Sequence, residues 1–187
     1  MANNTANVTY GKPKVGGAIF TAPLGTILPT DATTELDEAY KCLGYASEDG
    51  VVNGMAIESE SIKAWGGDTV LVIQTSKEET LGYTLIETLN VDVLKEVYGQ
   101  TNVAGTLETG ITIKNNTKPL EEHVVVIDMI LKGDVLKRIV IPQANVTEIG
   151  EIVYKDTEAT GFETTLTATP DTEGNTSYQY IIKKDTI

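Results

Sequence analysis

An alternation of apolar and polar residues near the C-terminal end of the sequence constrains the fold most strongly. In residues 161–169, Phe162, Leu166 and Ala168 share one face of an extended chain, and the opposite face carries only Glu and Thr. A period of two is typical of a half-buried strand. Threonine occurs 27 times and Val and Ile are frequent, which favours strands elsewhere too. We therefore predict a mainly β protein, and 187 residues fit a single domain.

Other strand-like runs are bounded by Gly, Pro, Asn or Asp, the residues that form turns. They cover residues 18–21, 69–76, 80–87, 110–114, 122–131, 135–141, 147–155 and 177–183. The polar residues 77–79 are predicted to form the turn of a hairpin between two of these runs. The β core is thereby expected in residues 69–187.

One short helix is predicted between the two groups of strands, near residues 90–98. Asn90 is a good N-cap, and Gly99 supplies the C-terminal stop. Its apolar stripe consists of Val93, Leu94 and Val97. A helix with one such stripe is expected to lie flat against the sheet and to close the core from one side.

Two segments of the first 68 residues are interrupted by Gly and Pro and lack a regular pattern. Residues 41–68 exceed the roughly 4–6 residues of an ordinary connection, yet they hold more apolar surface than a disordered linker tolerates. The apolar side chains are Tyr45, Val51, Val52, Met55, Ile57, Ile62 and Trp65. We predict a long loop that becomes ordered against another molecule, such as a second copy of the chain, and an extended N-terminal arm in residues 1–24.

The charge balance limits the partners of this chain. It has 14 Lys and Arg against 27 Asp and Glu, a formal net charge of −13. Binding to nucleic-acid phosphates depends on Lys and Arg, so the chain is expected to repel DNA. No run approaches the roughly 18 apolar residues of a membrane span, and the N-terminus lacks the apolar core of a secretion signal. Cys42 is the only cysteine, so folding needs no intrachain disulfide and a cytosolic compartment suits it.

The sequence offers no catalytic constellation. His123 is the only histidine, and a structural or surface role is favoured for it; Cys42 is better explained as a small buried residue. Residues 11–17 lack the ending of a phosphate-binding loop, and residues 171–175 lack the order of a calcium loop. We predict no catalytic, cofactor-binding or metal-binding residue, and hence no enzyme. A self-assembling structural subunit and a non-enzymatic binding domain remain.

Nine segments, in their order and spacing, carry a resemblance to a known family. They are KVGGAIF from Lys14, APLGT from Ala22, LPTDA from Leu28, LGY from Leu43, SEDGV from Ser47, KAWGGD from Lys63, NVDVL from Asn90, VYG from Val97 and KRIVIP from Lys137. Together they resemble the major tail protein, or tail tube subunit, of long-tailed, non-contractile bacteriophages of Gram-positive hosts. The resemblance spans most of the chain.

The resemblance implies a β-sandwich or flattened barrel with one short flanking helix, a long loop and an extended terminal arm. It also implies hexameric rings that stack around a tape-measure protein, with tail terminator and tail-tip or baseplate proteins at the ends. Such a tube is the conduit for DNA ejection, and DNA passes through it without specific binding. The protein would be assembled in the bacterial host cytoplasm and would reside in the virion tail, with no cofactor and no membrane insertion.

Two sets of residues are predicted to serve this assembly. Contacts between rings are expected from Tyr45, Val51, Met55, Ile57, Ile62 and Trp65. The tube lumen is expected to be lined by Glu148, Glu151 and Glu163, each in a predicted strand, because carboxylates repel the DNA backbone. For each carboxylate, an ordinary solvated strand face is the alternative. For the whole chain, the alternative is a receptor- or carbohydrate-binding β domain on a virion or cell surface.

Overall fold

The structure is a computed structural model that describes residues 3–184, in which strands dominate. The strands are β1 (Gly11–Pro13), β2 (Ile19–Pro23), β3 (Lys41–Cys42), β4 (Ala46–Lys63), β5 (Thr69–Leu85), β6 (Val103–Ala104), β7 (Thr112–Ile113), β8 (His123–Leu131), β9 (Val135–Ile149), β10 (Phe162–Ala168) and β11 (Tyr178–Lys183). A 3-10 turn covers Thr5–Asn7, and one α-helix, α1, covers Val91–Tyr98. The prediction of a mainly β fold is confirmed.

Nine of the strands form one antiparallel sheet in the order β3-β2-β8-β9-β10-β5-β4, with β1 beside β8 and β11 beside β9. β6 and β7 pair separately. The two end strands, β3 and β4, are joined by residues 43–45 alone, a link that spans at most about 14 Å. Seven neighbouring strands laid flat would be about 29 Å wide. The sheet must therefore curl, which agrees with the predicted β-sandwich or flattened barrel.

Strand β8 is buried on both faces because the curled sheet has two apolar layers. Val125 and Ile127 point into the main core, which also receives Leu81, Phe162 and Leu166 from the other strands. Val124 and Val126 point the opposite way. The segment between β2 and β3 and the start of β11 cover that second face with Leu28, Leu36, Tyr40 and Tyr178. A strand covered on both faces reads as a continuous apolar run, as residues 124–127 do.

Helix α1 has the predicted bounds and caps. The Asn90 side chain accepts a hydrogen bond from the Asp92 amide at 3.0 Å, and Gly99 ends the helix with a φ of 97°. The buried apolar residues of α1 are Val93, Leu94 and Val97, the predicted stripe. The helix packs this stripe against the main core.

Three predicted elements are wrong. Residues 77–79 are not a turn, because β5 runs unbroken from Thr69 to Leu85 and residues 77–79 pair with residues 55–57 of β4. Residues 41–68 are not a loop, because most of them form β4. The separate runs 135–141 and 147–155 are one strand, β9, which ends at Ile149. Pro142 does not stop it, since the proline lies at a register shift towards β8, where a missing N–H is tolerated.

The predicted N-terminal arm divides into two parts. Ile19–Pro23 is a sheet strand with buried residues, and Gly11–Pro13 lies exposed along the end of β8. Met1 and Ala2 lie outside the described residues. Among residues 3–184, no helix has the length and apolar character needed to cross a membrane.

Candidate assembly surface

Strands β4 and β5 continue as a two-stranded ribbon beyond the end of β10, their neighbour in the sheet. Strand β10 accompanies β5 only as far as Glu79, where it ends at Ala168. We call residues 55–78 the hairpin extension. Its turn is closed by a 2.8 Å hydrogen bond from the Ala64 amide to the Asp68 carbonyl, and Gly66 and Gly67 adopt positive φ there. At about 3.3 Å per residue, the extension is roughly 30 Å long.

The hairpin extension carries apolar side chains on both faces. Ile57 shares the face of the core residues Leu81 and Tyr83, since it pairs with Lys77 in the same alternation. Ile62 pairs with Leu71 on the opposite face. The inward-side set is Met55, Ile57 and Val72, and the outward-side set is Ile62, Leu71 and Ile73. All six side chains are 45–60% exposed in the single chain. A monomer rarely leaves such a run of large apolar residues in water, so this ribbon is a candidate contact surface.

The six residues predicted to join rings do not all lie together. Met55, Ile57 and Ile62 lie on the hairpin extension, and Trp65 stands fully exposed in its turn. Tyr45 is exposed at the base, before β4 begins. Val51 is half-buried and packs against the core, so it is not part of the ribbon surface.

Strand β5 supplies ribbon residues that the sequence analysis left out. Leu71, Val72 and Ile73 belong to a run of apolar residues that was predicted as an ordinary strand. The run itself was visible, but its sequence does not reveal that neither face is covered. The sequence feature that could have identified these residues is their position just after the Gly66-Gly67 turn, opposite the apolar residues of 41–68.

A buried carboxylate fixes the base of the hairpin extension. Glu79 is only 2% exposed and accepts hydrogen bonds from Asn53 (3.1 Å), Thr176 (2.5 Å) and Ser177 (2.9 Å). Burial raises the pKa of Glu79, but these hydrogen bonds outweigh burial and hold it below its usual value. The network ties both strands of the ribbon to the segment before β11, so its direction is set by the body.

The three predicted lumen carboxylates are exposed, and two of them lie on strands. Glu148 pairs with Thr165, and Glu163 lies two residues before Thr165, so both project from one face of the β9–β10 pair. That face is the one opposite the core. Glu151 follows the end of β9 and is not in a strand, contrary to the prediction. It lines a shallow cleft of about 500 Å³ together with Glu163.

A fully buried arginine anchors the covering segment of the second face. Arg138 Nε and Nη2 donate to the Asp128 carboxylate at 2.6 and 2.8 Å. Its Nη1 donates to the carbonyls of Asp31 (3.0 Å) and Thr34 (2.8 Å). Lys14 adds a 3.1 Å ion pair to the same Asp128. Although burial raises the pKa of Asp128, Arg138 and Lys14 outweigh burial and lower it. The cluster holds the segment between β2 and β3 against the sheet.

His123 has a structural arrangement. Its Nε2 lies 2.9 Å from a carboxylate oxygen of the buried Glu96 on α1, and its Nδ1 lies 3.1 Å from the Glu121 carbonyl. Burial lowers the pKa of His123, but the hydrogen bond and charge of Glu96 outweigh it, so the pKa lies above its usual value. The Tyr83 hydroxyl donates to the same Glu96 oxygen at 3.3 Å. These contacts join α1 to the sheet beside a cleft of about 440 Å³.

The cysteine lies close to the chain turn that follows β3. Cys42 is half-buried, and its Sγ accepts a hydrogen bond from the Gly44 amide at 3.4 Å. Within residues 3–184, no three His, Cys, Asp or Glu side chains are close enough to hold a metal ion. In the same range every buried side-chain nitrogen and oxygen has a hydrogen-bond partner.

Comparison with known proteins gives one result that covers the whole chain. A family model described as phage tail tube protein matches residues 1–187. No curated protein matches the chain significantly.

Proposed function

This chain belongs to the phage tail tube protein family, and we propose that it polymerises into stacked hexameric rings that form the conduit for DNA ejection. Membership makes it a structural component of the virion tail and suggests a non-enzymatic role. The ring number comes from the resemblance of its segments to tail tube subunits. The hairpin extension is the main support for the proposal, because its large apolar side chains are exposed to water in a single chain.

Lateral contacts within a ring are supported by the open edge of β4. This strand is 18 residues long, and within the described residues it pairs only with β5. A long open edge exposes a row of backbone donors and acceptors that favours pairing with another strand. Closure of a ring satisfies every such edge and limits growth in that direction.

Contacts between rings are assigned to the hairpin extension. Its length of roughly 30 Å gives it a long surface for contact with a second subunit along a tube. Met55, Ile57, Ile62 and Trp65 would be covered in this contact, with Leu71, Val72 and Ile73 beside them. Tyr45 and the partly buried Val51 lie at the base and would support the contact from there.

The lumen is assigned to the face that carries Glu148 and Glu163. Neighbouring positions on that face of the sheet are the small or uncharged residues Thr84, Thr165 and Gly82. A surface of carboxylates and hydroxyls repels phosphates and has no cations to bind DNA. Glu151 would lie at the rim of this surface.

The remaining partners follow from the same assembly. A tape-measure protein would fill the tube, and terminator and tail-tip or baseplate proteins would close its ends. Assembly would take place in the bacterial host cytoplasm.

Negative-stain electron microscopy over a wide concentration series tests the proposal. We expect hollow tubes or six-fold rings from the wild-type protein. A shortened variant is compared with the wild type. It replaces residues 59–75 with Asn-Gly, a two-residue turn that rejoins the paired Glu58 and Ser76. It should keep the wild-type melting temperature, since the core lies below Glu79, and form no stacked tubes. Featureless particles from the wild type at every concentration would instead favour the receptor- or carbohydrate-binding domain.

A further inference from the structure

The two ends of the curled sheet carry opposite charge. Strand pairing defines the ends: Val135 of β9 lies at one end with Leu131 and Lys183, and Ile149 lies at the other, near the start of β10. We call the first the lysine end, formed by residues 11–13, 131–137 and 181–184. Its charged residues are Lys12, Lys132, Asp134, Lys137, Lys183 and Lys184. Counting Asp185, which follows in sequence, cations still outnumber anions by five to two.

The opposite end is strongly acidic. We call it the acidic end, formed by residues 46–50, 84–87 and 149–163. Its charged residues are Glu48, Asp49, Glu87, Glu151, Lys155, Asp156, Glu158 and Glu163. Lys155, the only cation in these ranges, is paired with Glu158 at 3.0 Å. The shallow cleft of about 500 Å³ opens here between Glu48, Asp49, Glu151 and Glu158.

The hairpin extension points in the direction of the lysine end, from a base that lies level with Ala144 in the middle of β9. From Leu85 to Thr69, β5 runs in the direction in which β9 runs from Ile149 to Val135, since β10 lies antiparallel to both. Two steps between neighbouring strands twist this direction by only about 45°. A copy that follows in this direction along the tube therefore faces the lysine end with its own far end. In a stack of uniform polarity, that far end is the acidic one.

Each end also has apolar residues that a contact would cover. At the lysine end, Ile181 and Ile182 of β11 are exposed, and at the acidic end Val153 and Tyr154 are exposed. Charged groups around apolar ones are the composition of an interface with a polar rim.

We propose that subunits stack through complementary charge, with the lysine end of one copy against the acidic end of the next. This inference rests on the proposed function and adds what selects the stacking direction. Lysine end on lysine end and acidic end on acidic end repel, so only head-to-tail contacts are favourable. The occupant of each end is thus a second copy of this chain. Added salt should weaken the contact, because charges at an exposed rim are screened beyond about 10 Å at 0.1 M.

A charge-swap experiment tests the pairing. The lysine-end variant carries Lys132→Glu, Lys183→Glu and Lys184→Glu; the acidic-end variant carries Glu48→Lys, Asp156→Lys and Glu158→Lys. All six side chains are exposed, so each variant should keep the wild-type circular dichroism and melting temperature. A third variant carries all six changes and has the net charge of the wild type. Polymerisation is followed by light scattering and electron microscopy.

Each single-end variant should need about tenfold more protein to polymerise. A 1:1 mixture of the two should polymerise like the wild type, because the reversed end of each variant then meets an end of opposite charge on the other variant. The six-residue variant should polymerise by itself. Single-end variants that assemble normally, or a mixture without recovery, would overturn the charge pairing while wild-type tubes keep the proposed function intact. If the wild type forms no tubes, the proposed function fails and the pairing falls with it.

Discussion

Arg138 shows how a single residue holds a covering segment onto a sheet. It lies opposite Asp128 across the β8–β9 hairpin and takes up both oxygens of that carboxylate. Its remaining nitrogen binds two carbonyls of the turn that Asp31 closes. Hydrogen bonds from Thr34 and Thr33 to this side chain hold the pKa of Asp31 well below its usual range. The contacts of Arg138 with Asp31 and Thr34 join residues more than 100 positions apart, so sequence patterns do not reveal the cluster.

Replacing Arg138 should destabilise the monomer far more than replacing Lys14, although both bind Asp128. Arg138→Met leaves Asp128 without its buried partner and should cost about 3–5 kcal/mol of unfolding free energy. The side chain of Lys14 is 37% exposed, so Lys14→Met should cost less than about 1 kcal/mol. Urea denaturation of the dispersed monomers measures both. An equal loss of unfolding free energy in the two variants would show that burial does not make the Arg138 contact more stabilising than the Lys14 contact.

At the scale of elements, prediction succeeds where the signals are local. The bounds of α1 follow from Asn90, Gly99 and an apolar stripe, all within ten residues of sequence. The hairpin extension was not predicted, because its sequence lacks such a local signal. Strand patterns reveal a buried face, and a ribbon exposed on both faces has none, so residues 77–79 looked like a turn. The glycines of 41–68 looked like breaks, although Gly54 lies within β4, where a Cβ would approach the Thr80 hydroxyl to 2.6 Å.

Trp65 should report directly on the environment of the hairpin turn. It is the only tryptophan and is fully exposed in the single chain. If the extension contacts the next subunit, polymerisation should move its fluorescence emission to shorter wavelength and reduce quenching by acrylamide. A sample held below the polymerisation threshold in the same buffer is the control. Emission that stays unchanged in well-formed tubes would place the turn in water and contradict its role between rings.

At the scale of the whole molecule, the sequence predicted the class of fold, its acidity and its family, but not the arrangement of charge. The short link of residues 43–45 forces the sheet to curl, and the pairing of β9 with β10 gives Glu148 and Glu163 a common face. The separation of lysines from carboxylates at two ends depends on strand register. Register is set by long-range pairing, which composition counts do not contain.

Reversing charge on the proposed lumen face should give tubes that retain DNA. Glu148→Lys with Glu163→Lys places cations where phosphates would pass, so DNA ejection should slow, or DNA should remain in isolated tubes. Glu35→Lys with Glu38→Lys is the matched control, because these exposed residues lie on the segment between β2 and β3, which packs over β2 and β8 and not over β10. Ejection kinetics followed by dye fluorescence compare the two. Unchanged ejection from the first variant would remove both glutamates from the lumen.

The side chains of the hairpin extension are not buried within their own chain. The sequence requirements for folding are therefore separate from those for contact with a neighbour. Substitutions in residues 55–78 leave the folded body intact, so their cost falls only on the fit to a neighbour. The sequences of the hairpin extension and of the surface that contacts it can therefore change together while the sequence of the body is conserved. Two related tails would then lose the ability to exchange subunits long before their subunits lost a common shape.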